Sequence, residues 1–423
     1  MAKQAGYSKE IWVYADWIEL GGTMLMGILK AEQVRGKEIF SFSYSKEWLK
    51  KGLALVLDPD LRLYAGPQYN REEKPNFGLF LDSSPDRWGR VLMERREAFQ
   101  ARQEGRRPKP LMESDYLLGV FDRYRMGGLR FKLAADGPFL DNNEAMAAPP
   151  MTGLRTLEEA SLQLESEDAV DSPKFAEWLN LLMSPGSSLG GARPKASIID
   201  PSGQLWIAKF PSRKDDRDIG AWEMLVNELA VKSGLHAAEG KARRFTRDYH
   251  TFLTKRFDRY SKGRIHFASA MTLLGYNDGA DAMAGVSYLH LAEFIMRNGA
   301  KPDADLEELW RRIVFNICVS NSDDHLRNHG FLLTSKGWIL SPAFDINPIP
   351  LSTGLSLNIS EHSNALDLDL AREVAAKFRV NEKKREAIIG KVANVVSHWQ
   401  KIASGLSISR REIQRMEGVF LGT

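Results

Sequence analysis

The cluster Asn321-Ser322-Asp323-Asp324-His325-Leu326-Arg327-Asn328 lies between an apolar helical pattern, Leu306 to Ser320, and a short strand pair, Phe331-Leu332-Leu333 and Trp338-Ile339-Leu340. Few folds accommodate that order. A dense polar cluster is thereby placed where a helix ends beside a strand. That is where a site can form. Asp323 and Asn328 stand five apart, and Asp345 follows the strand pair at a strand end within Pro342-Ala343-Phe344-Asp345-Ile346. Phosphoryl transfer needs such a set: a carboxylate to orient the attacking hydroxyl, with an amide and a second carboxylate to hold Mg²⁺ across the ATP phosphates. Asp323 suits the first role, Asn328 and Asp345 the others.

Upstream, Ser187-Ser188-Leu189-Gly190-Gly191-Ala192-Arg193-Pro194-Lys195 runs into two predicted strands, Ala196 to Ile199 and Leu205 to Phe210, joined by the turn Asp200-Pro201-Ser202-Gly203. Paired glycines let backbone amides approach a phosphate closely, so Ser188, Gly190, Gly191, Ala192 and Lys195 are candidates to cover a nucleotide. The loop lacks Walker spacing and gains meaning only from its context. Lys209 alternates with Leu205 and Ile207 on one strand face, and Glu223 on the following helix is placed to pair with it and aim it at the α and β phosphates. The strand Thr251 to Asp258 then ends where the helical half begins. Backbone groups around Lys255 and Phe257 are expected to meet adenine, and Asp258 a ribose hydroxyl. His325 completes the expected nucleotide-binding set.

The remaining chain reads as mixed α and β. Ile11-Trp12-Val13-Tyr14, Met24 to Leu29 and Ile39 to Tyr44 alternate as strands, and Asp86 to Gln100 is a helix with Ser84 as expected N-cap and Pro85 at its first position. Gly127 to Lys132 returns to strand, and helical patterns follow at Leu157 to Leu164 and Lys174 to Met183. Residues 136 to 152 have connector composition, and the chain turns mainly helical after Gly263, through Ser287 to Arg297, Leu306 to Ser320 and Asn381 to Gln400. The expected division is 1–150, an α/β subdomain; 151–260, an N-lobe-like region; and 261–423, a mainly α-helical lobe. The 58 basic and 55 acidic residues nearly balance, at +3, which argues against a dedicated nucleic-acid or membrane surface. No signal-peptide pattern opens the chain and no apolar run reaches the roughly 18 residues of a membrane span, so a cytoplasmic protein is expected. The lone Cys318 lies in the apolar stretch Ile313 to Val319 and is read as a packing residue.

Together the stretches Ser188 to Lys195, Lys209-Phe210-Pro211, Arg256-Phe257-Asp258-Arg259, Asn321 to Asn328 and Phe344-Asp345 resemble the HipA family of bacterial kinases. So does Asp82-Ser83-Ser84-Pro85-Asp86-Arg87-Trp88-Gly89-Arg90, and the resemblance spans roughly residues 80 to 350. It implies an α+β, two-lobed protein-kinase-like fold, with a mixed N-terminal part and an all-α C-terminal part. It also implies an ATP- and Mg²⁺-dependent Ser/Thr protein kinase, the toxin of a toxin–antitoxin pair, whose target is often an aminoacyl-tRNA synthetase. On the matching positions Asp323 is the catalytic aspartate, Asn328 and Asp345 are metal ligands, and Lys209 is the phosphate lysine. Ser188 matches the loop serine whose autophosphorylation ejects the loop and silences the enzyme. The implied partner is a small helix-turn-helix antitoxin of the HipB type, which binds the kinase and its own operator DNA.

Other readings compete. In a metal-dependent hydrolase Asp323, Asp324, His325 and His329 would ligate a transition metal, the two histidines being four apart on one helix if the helix continues. That reading leaves the glycine loop, Lys209 and the hinge-like strand unexplained, and no glutamate stands beside the first histidine in the manner of zinc peptidases. A catalytically silent co-repressor acting with a DNA-binding antitoxin would keep the fold, but the complete catalytic set gives no reason for silence. Small-molecule kinases place similar residues in similar order, and the N-terminal motif speaks against that class.

Overall fold

The computed structural model describes residues 7–51, 56–144, 147–182, 191, 193–245, 249–260 and 263–421. The chain divides into two compact units, Met1–Ile207 with Asp258–Ala268, and Ala208–Phe257 with Ser269–Thr423.

In the first unit the alternating segments form an antiparallel sheet in the order Gln68–Tyr69, Lys37–Tyr44, Met24–Val34, Ser8–Ala15, Leu129–Lys132. One face is apolar because the period is two: Ile11, Val13 and Ala15, then Leu29 and Ala31, then Phe40 and Phe42 are buried. Gly27 lies opposite Tyr44, and a Cβ there would come within 2.3 Å of the Ser43 carbonyl oxygen, so only glycine fits this crossing. The helix Arg87–Gln103 is capped by Asp86, whose side chain accepts from the Gly89 amide at 2.8 Å. This corrects the expected cap. Ser84 is two residues too early, and its hydroxyl donates instead to the Phe80 carbonyl at 2.9 Å. Fully buried Arg125 donates to the carbonyls of Ser83, Leu117, Val120 and Leu140, tying that motif to the rest of the unit.

The second unit contains the strand pair Gly240–Arg244 and His250–Lys255, against which the helix Ile219–Ser233 packs. Its core is the helix Pro302–Val319, which starts on Pro302 and buries Leu306, Leu309, Trp310, Ile313, Val314, Phe315, Ile317, Cys318 and Val319. The helices Tyr288–Asn298 and Glu382–Val396 lie against it. Ser320, with φ of 50°, takes the left-handed conformation that stops the helix, and the polar cluster that follows stays largely in the core, with Asn321, Asp324 and Asn328 buried and Asp323 exposed. The strands Gly330–Thr334 and Gly337–Leu340 then pair antiparallel, Phe331 opposite Leu340. Cys318 is fully buried, and burial pushes its thiol up to about 12. It is therefore expected to resist a thiol-reactive dye in the native protein at pH 8 and to react at once in denaturant. Rapid native labelling would contradict this packing role.

No described helix is long and apolar enough to cross a membrane.

Candidate active site

Within the second unit, the end of the strand Leu205–Lys209 delivers the Lys209 ammonium to two carboxylates. Its Nζ donates to Glu223 Oε1 at 2.5 Å and to Asp345 Oδ1 at 2.6 Å. Lys209 and Glu223 are buried, 7% and 3% exposed, so solvent screens their contact little. Burial disfavours the ammonium, but Asp345 and Glu223 outweigh it and hold the Lys209 pKa above the ordinary lysine value. The lysine is thus a fixed cation beside a candidate metal ligand. Glu223 comes from the helix Ile219–Ser233, where Gly220 lets the first turn approach the strand: a Cβ there would lie 2.1 Å from the His250 carbonyl oxygen.

Asp345 is not at a strand end as expected. It sits in an irregular segment at φ of 56°, a conformation costly for a non-glycine residue. Lys209 and the amide of Asn347, which donates to Asp345 Oδ1 at 3.3 Å, help hold it there.

The polar cluster divides by exposure. Asp323 is exposed, whereas Asp324 and Asn328 are buried. Asn328 donates to the Asp323 backbone carbonyl at 2.8 Å, and its own Oδ1 is buried with no hydrogen-bond partner among the described residues. An amide oxygen left unpaired, with a carboxylate as the other expected ligand, is a hard-oxygen donor set of the kind Mg²⁺ takes. The residues fit the ion.

A buried relay connects the two loops. The Asn347 backbone amide donates to Asn321 Oδ1 at 3.2 Å, Asn321 Nδ2 to Asn316 Oδ1 at 3.0 Å, and Asn316 Nδ2 to Asp324 Oδ2 at 2.7 Å. The same Asp324 oxygen accepts from Tyr288 at 2.5 Å and lies 2.8 Å from His329 Nε2. Burial opposes the charged carboxylate, yet His329 and these hydrogen bonds hold its pKa below the usual range. Asn316, Asn321, Tyr288 and Asn347 were not among the expected site residues. Asn316 could have been noticed as an amide inside the apolar run Ile313 to Val319, since a buried amide requires partners.

Several expected nucleotide contacts are committed elsewhere. In the first unit, Lys195 pairs with Asp86 at 2.9 Å and reaches the Gly191 carbonyl at 3.3 Å, so it braces the loop's end against a helix cap instead of facing a phosphate. Asp258, also in the first unit, is fully buried and accepts from the Gly127 amide at 2.9 Å and from Arg259 at 2.5 Å. It has no surface left for a ribose hydroxyl. The Lys255 amide donates to the Glu239 carbonyl at 2.9 Å, so it cannot serve adenine without breaking a strand contact. Phe257 packs its ring against Phe344, with centroids 5.4 Å apart. His325 precedes a single 3₁₀ turn, Leu326–Asn328, and its Nδ1 is buried with no hydrogen-bond partner among the described residues. The two histidines therefore do not share a helix face as the hydrolase reading requires, and His329 is bound to Asp324. No metal-binding group of His, Cys, Asp and Glu occurs among the described residues. Ser188, Gly190 and Ala192 lie outside the described residues.

Residues 187–399 match the HipA-like C-terminal domain, half of the chain. Over 417 residues the chain is 24% identical to the Sinorhizobium fredii protein “Putative kinase Y4mE”, covering 90% of this chain and 91% of that one. A second Sinorhizobium fredii protein, Y4dM, is 26% identical over 244 residues, 46% of this chain and 56% of that one. Shewanella oneidensis HipA, solved with HipB and its operator DNA, superposes with a TM-score of 0.62 at 16% identity, over 94% of this chain and 93% of that one. The shared fold is α+β, a mixed N-terminal part followed by a mainly helical one. With the domain match and the motifs from Asn321 to Asn328 and at Asp345 in place, the chain belongs to the HipA family.

Proposed function

We propose that this chain is an ATP- and Mg²⁺-dependent serine/threonine protein kinase, the toxin of a HipA/HipB-like module. The observation that carries the reading is the buried Lys209 bridging Glu223 and Asp345, with Asp323 exposed on the neighbouring loop. Lysine and glutamate are so paired in protein kinases, where the lysine contacts nucleotide phosphates.

Asn328 Oδ1 and the Asp345 carboxylate would hold Mg²⁺, which when bound neutralises charge across the phosphates. Lys209, fixed by two carboxylates, reaches the phosphates without reorganising. Asp323 accepts the proton of a serine or threonine hydroxyl as its oxygen bonds to the γ-phosphorus and the bond to ADP breaks. Exposure suits that task, since the hydroxyl arrives on another protein. The target is a translation-related protein such as an aminoacyl-tRNA synthetase, the antitoxin is a HipB-like helix-turn-helix protein, and operator DNA is met mainly through it. The HipB–DNA complex of the Shewanella protein supports that partner class. The protein acts in the cytoplasm.

Ser188 is the site of self-inactivation. A phosphate there adds nearly two negative charges beside the ATP phosphates, and repulsion alone disfavours nucleotide. Purified protein incubated with γ-labelled ATP and Mg²⁺ is expected to carry label on the peptide containing Ser188. Ser188→Ala should lose that label and keep its activity for longer. Nucleotide binding with no transfer to itself or to any protein would favour the silent co-repressor.

A further inference from the structure

Residues 409–421, in the second unit, bind both the helix that carries Glu223 and the end of the helix that precedes Asp323. The first anchor is Glu412. The short helix Arg410–Arg415 begins on Ser409, whose hydroxyl accepts from the Glu412 amide at 3.2 Å and donates to Glu412 Oε1 at 3.1 Å. The other oxygen, Oε2, accepts from the Asp218 amide and from Trp222 Nε1, both at 3.0 Å. Asp218 caps the helix Ile219–Ser233, and Trp222 immediately precedes Glu223. Asp218 and Trp222 are 2% and 1% exposed, so neither donor has water to replace Glu412, and a carboxylate suits the positive end of the helix dipole. The side chain of Asp218 is used elsewhere, accepting from the Ala221 and His250 amides at 3.1 and 2.8 Å.

The second anchor lies at residues 419–421. The Leu421 amide donates to the Cys318 carbonyl at 2.8 Å, and the Ser320 hydroxyl donates to the Val419 carbonyl at 2.6 Å. The last carbonyls of a helix have no partner within it, so this segment completes the end of Pro302–Val319 from outside. Ser320 is the left-handed residue from which the Asp323 loop departs. Phe420 joins the two anchors: its ring stacks on Trp399 with centroids 4.5 Å apart, and on Trp222 at 6.2 Å.

We infer that Glu412 is a positioning residue for phosphoryl transfer, and that residues 409–421 form a strap holding Glu223 in register with the loop that carries Asp323. The inference rests on the kinase reading above and adds a control point to it. Glu412 acts through Trp222 and the first turn of the helix. If that turn shifts, the Glu223 carboxylate leaves the Lys209 ammonium, and the lysine is no longer aimed at the phosphates.

The test uses the full-length protein, with equilibrium binding of a fluorescent ATP analogue and single-turnover self-labelling from γ-labelled ATP as separate readouts. Glu412→Ala is expected to weaken the nucleotide about tenfold while the labelling rate at saturating ATP stays within about threefold of wild type. Glu412→Gln keeps an acceptor oxygen in place and should bring affinity back to within about twofold. Ser320→Ala frees the other anchor and should do the reverse, lowering the rate at saturating ATP about tenfold with affinity within about threefold. A change that only destabilises, in protein still folded in the assay, moves neither readout. Should urea unfolding show Glu412→Ala to be unfolded there, Glu412→Asp, a methylene too short for both donors, should lose about fivefold in affinity. Nucleotide affinity of wild-type strength in Glu412→Ala or its aspartate substitute, a glutamine variant no better than alanine, or a wild-type rate in Ser320→Ala would each overturn the strap and leave the kinase reading standing. Wild type that binds no nucleotide would sink both.

Discussion

Replacing Asp323 by glutamine is expected to lower phosphoryl transfer by about 10²–10⁴-fold while ATP binding stays within about threefold of wild type. The side chain is exposed, so the change removes no packed group and should alter stability by less than about 0.5 kcal/mol. Lys209, Glu223, Asp345 and Asn328 remain in place, and with them the groups assigned to the phosphates and the metal. The loss should therefore appear in kcat and not in nucleotide affinity. Single-turnover transfer from labelled ATP, beside equilibrium binding of a fluorescent nucleotide, separates the two. A variant that transfers phosphate at the wild-type rate would remove Asp323 from the role of base. One that loses nucleotide affinity as well would make it a ligand of the nucleotide complex.

The sequence carried the parts of this site that depend on local order. The strand alternation around Val13, Leu29 and Phe42 has a period no helix tolerates, and the run Leu306 to Val319 has to be buried wherever it sits. The helix end beside the strand pair was legible too, whereas the burial of Asn321, Asp324 and Asn328 within the cluster was not. Lys209 and Glu223 were also legible, because a strand and the helix after it leave few ways for a buried ammonium to find a carboxylate.

What was not legible depends on partners brought in from afar. Asp258 looks like a polar residue at a strand end, and only the fold shows that it is fully buried and that the Gly127 amide and Arg259 both donate to its Oδ2. Lys195 follows a glycine loop and suits a phosphate, until Asp86 from the first unit's helix cap takes its charge. The cap itself was misplaced by two residues: Ser84 and Asp86 both have capping chemistry, and the backbone decides between them. Likewise, Asp324 and His325 have metal-ligand chemistry, and a continued helix would bring His325 and His329 onto one face. The left-handed Ser320 ends it, and His329 turns to Asp324.

The buried relay yields the other large effect. Asp324→Ala is expected to cost about 3–5 kcal/mol of unfolding free energy, because it removes the acceptor shared by Tyr288, Asn316 and His329 in a site closed to water. Asp324→Asn keeps the volume and one acceptor oxygen and loses the charge, so it should cost less, about 1–3 kcal/mol. Because the carboxylate is buried, added salt should not recover either loss. Urea unfolding with unchanged m-values gives both differences directly. If alanine at this position unfolds within about 0.5 kcal/mol of wild type, the relay is not what fixes the loop. The expected loss would instead place Asp324 under the exposed Asp323 as the group that holds the base in register, through Asn316, Asn321 and Asn347, with the loop that carries Asp345.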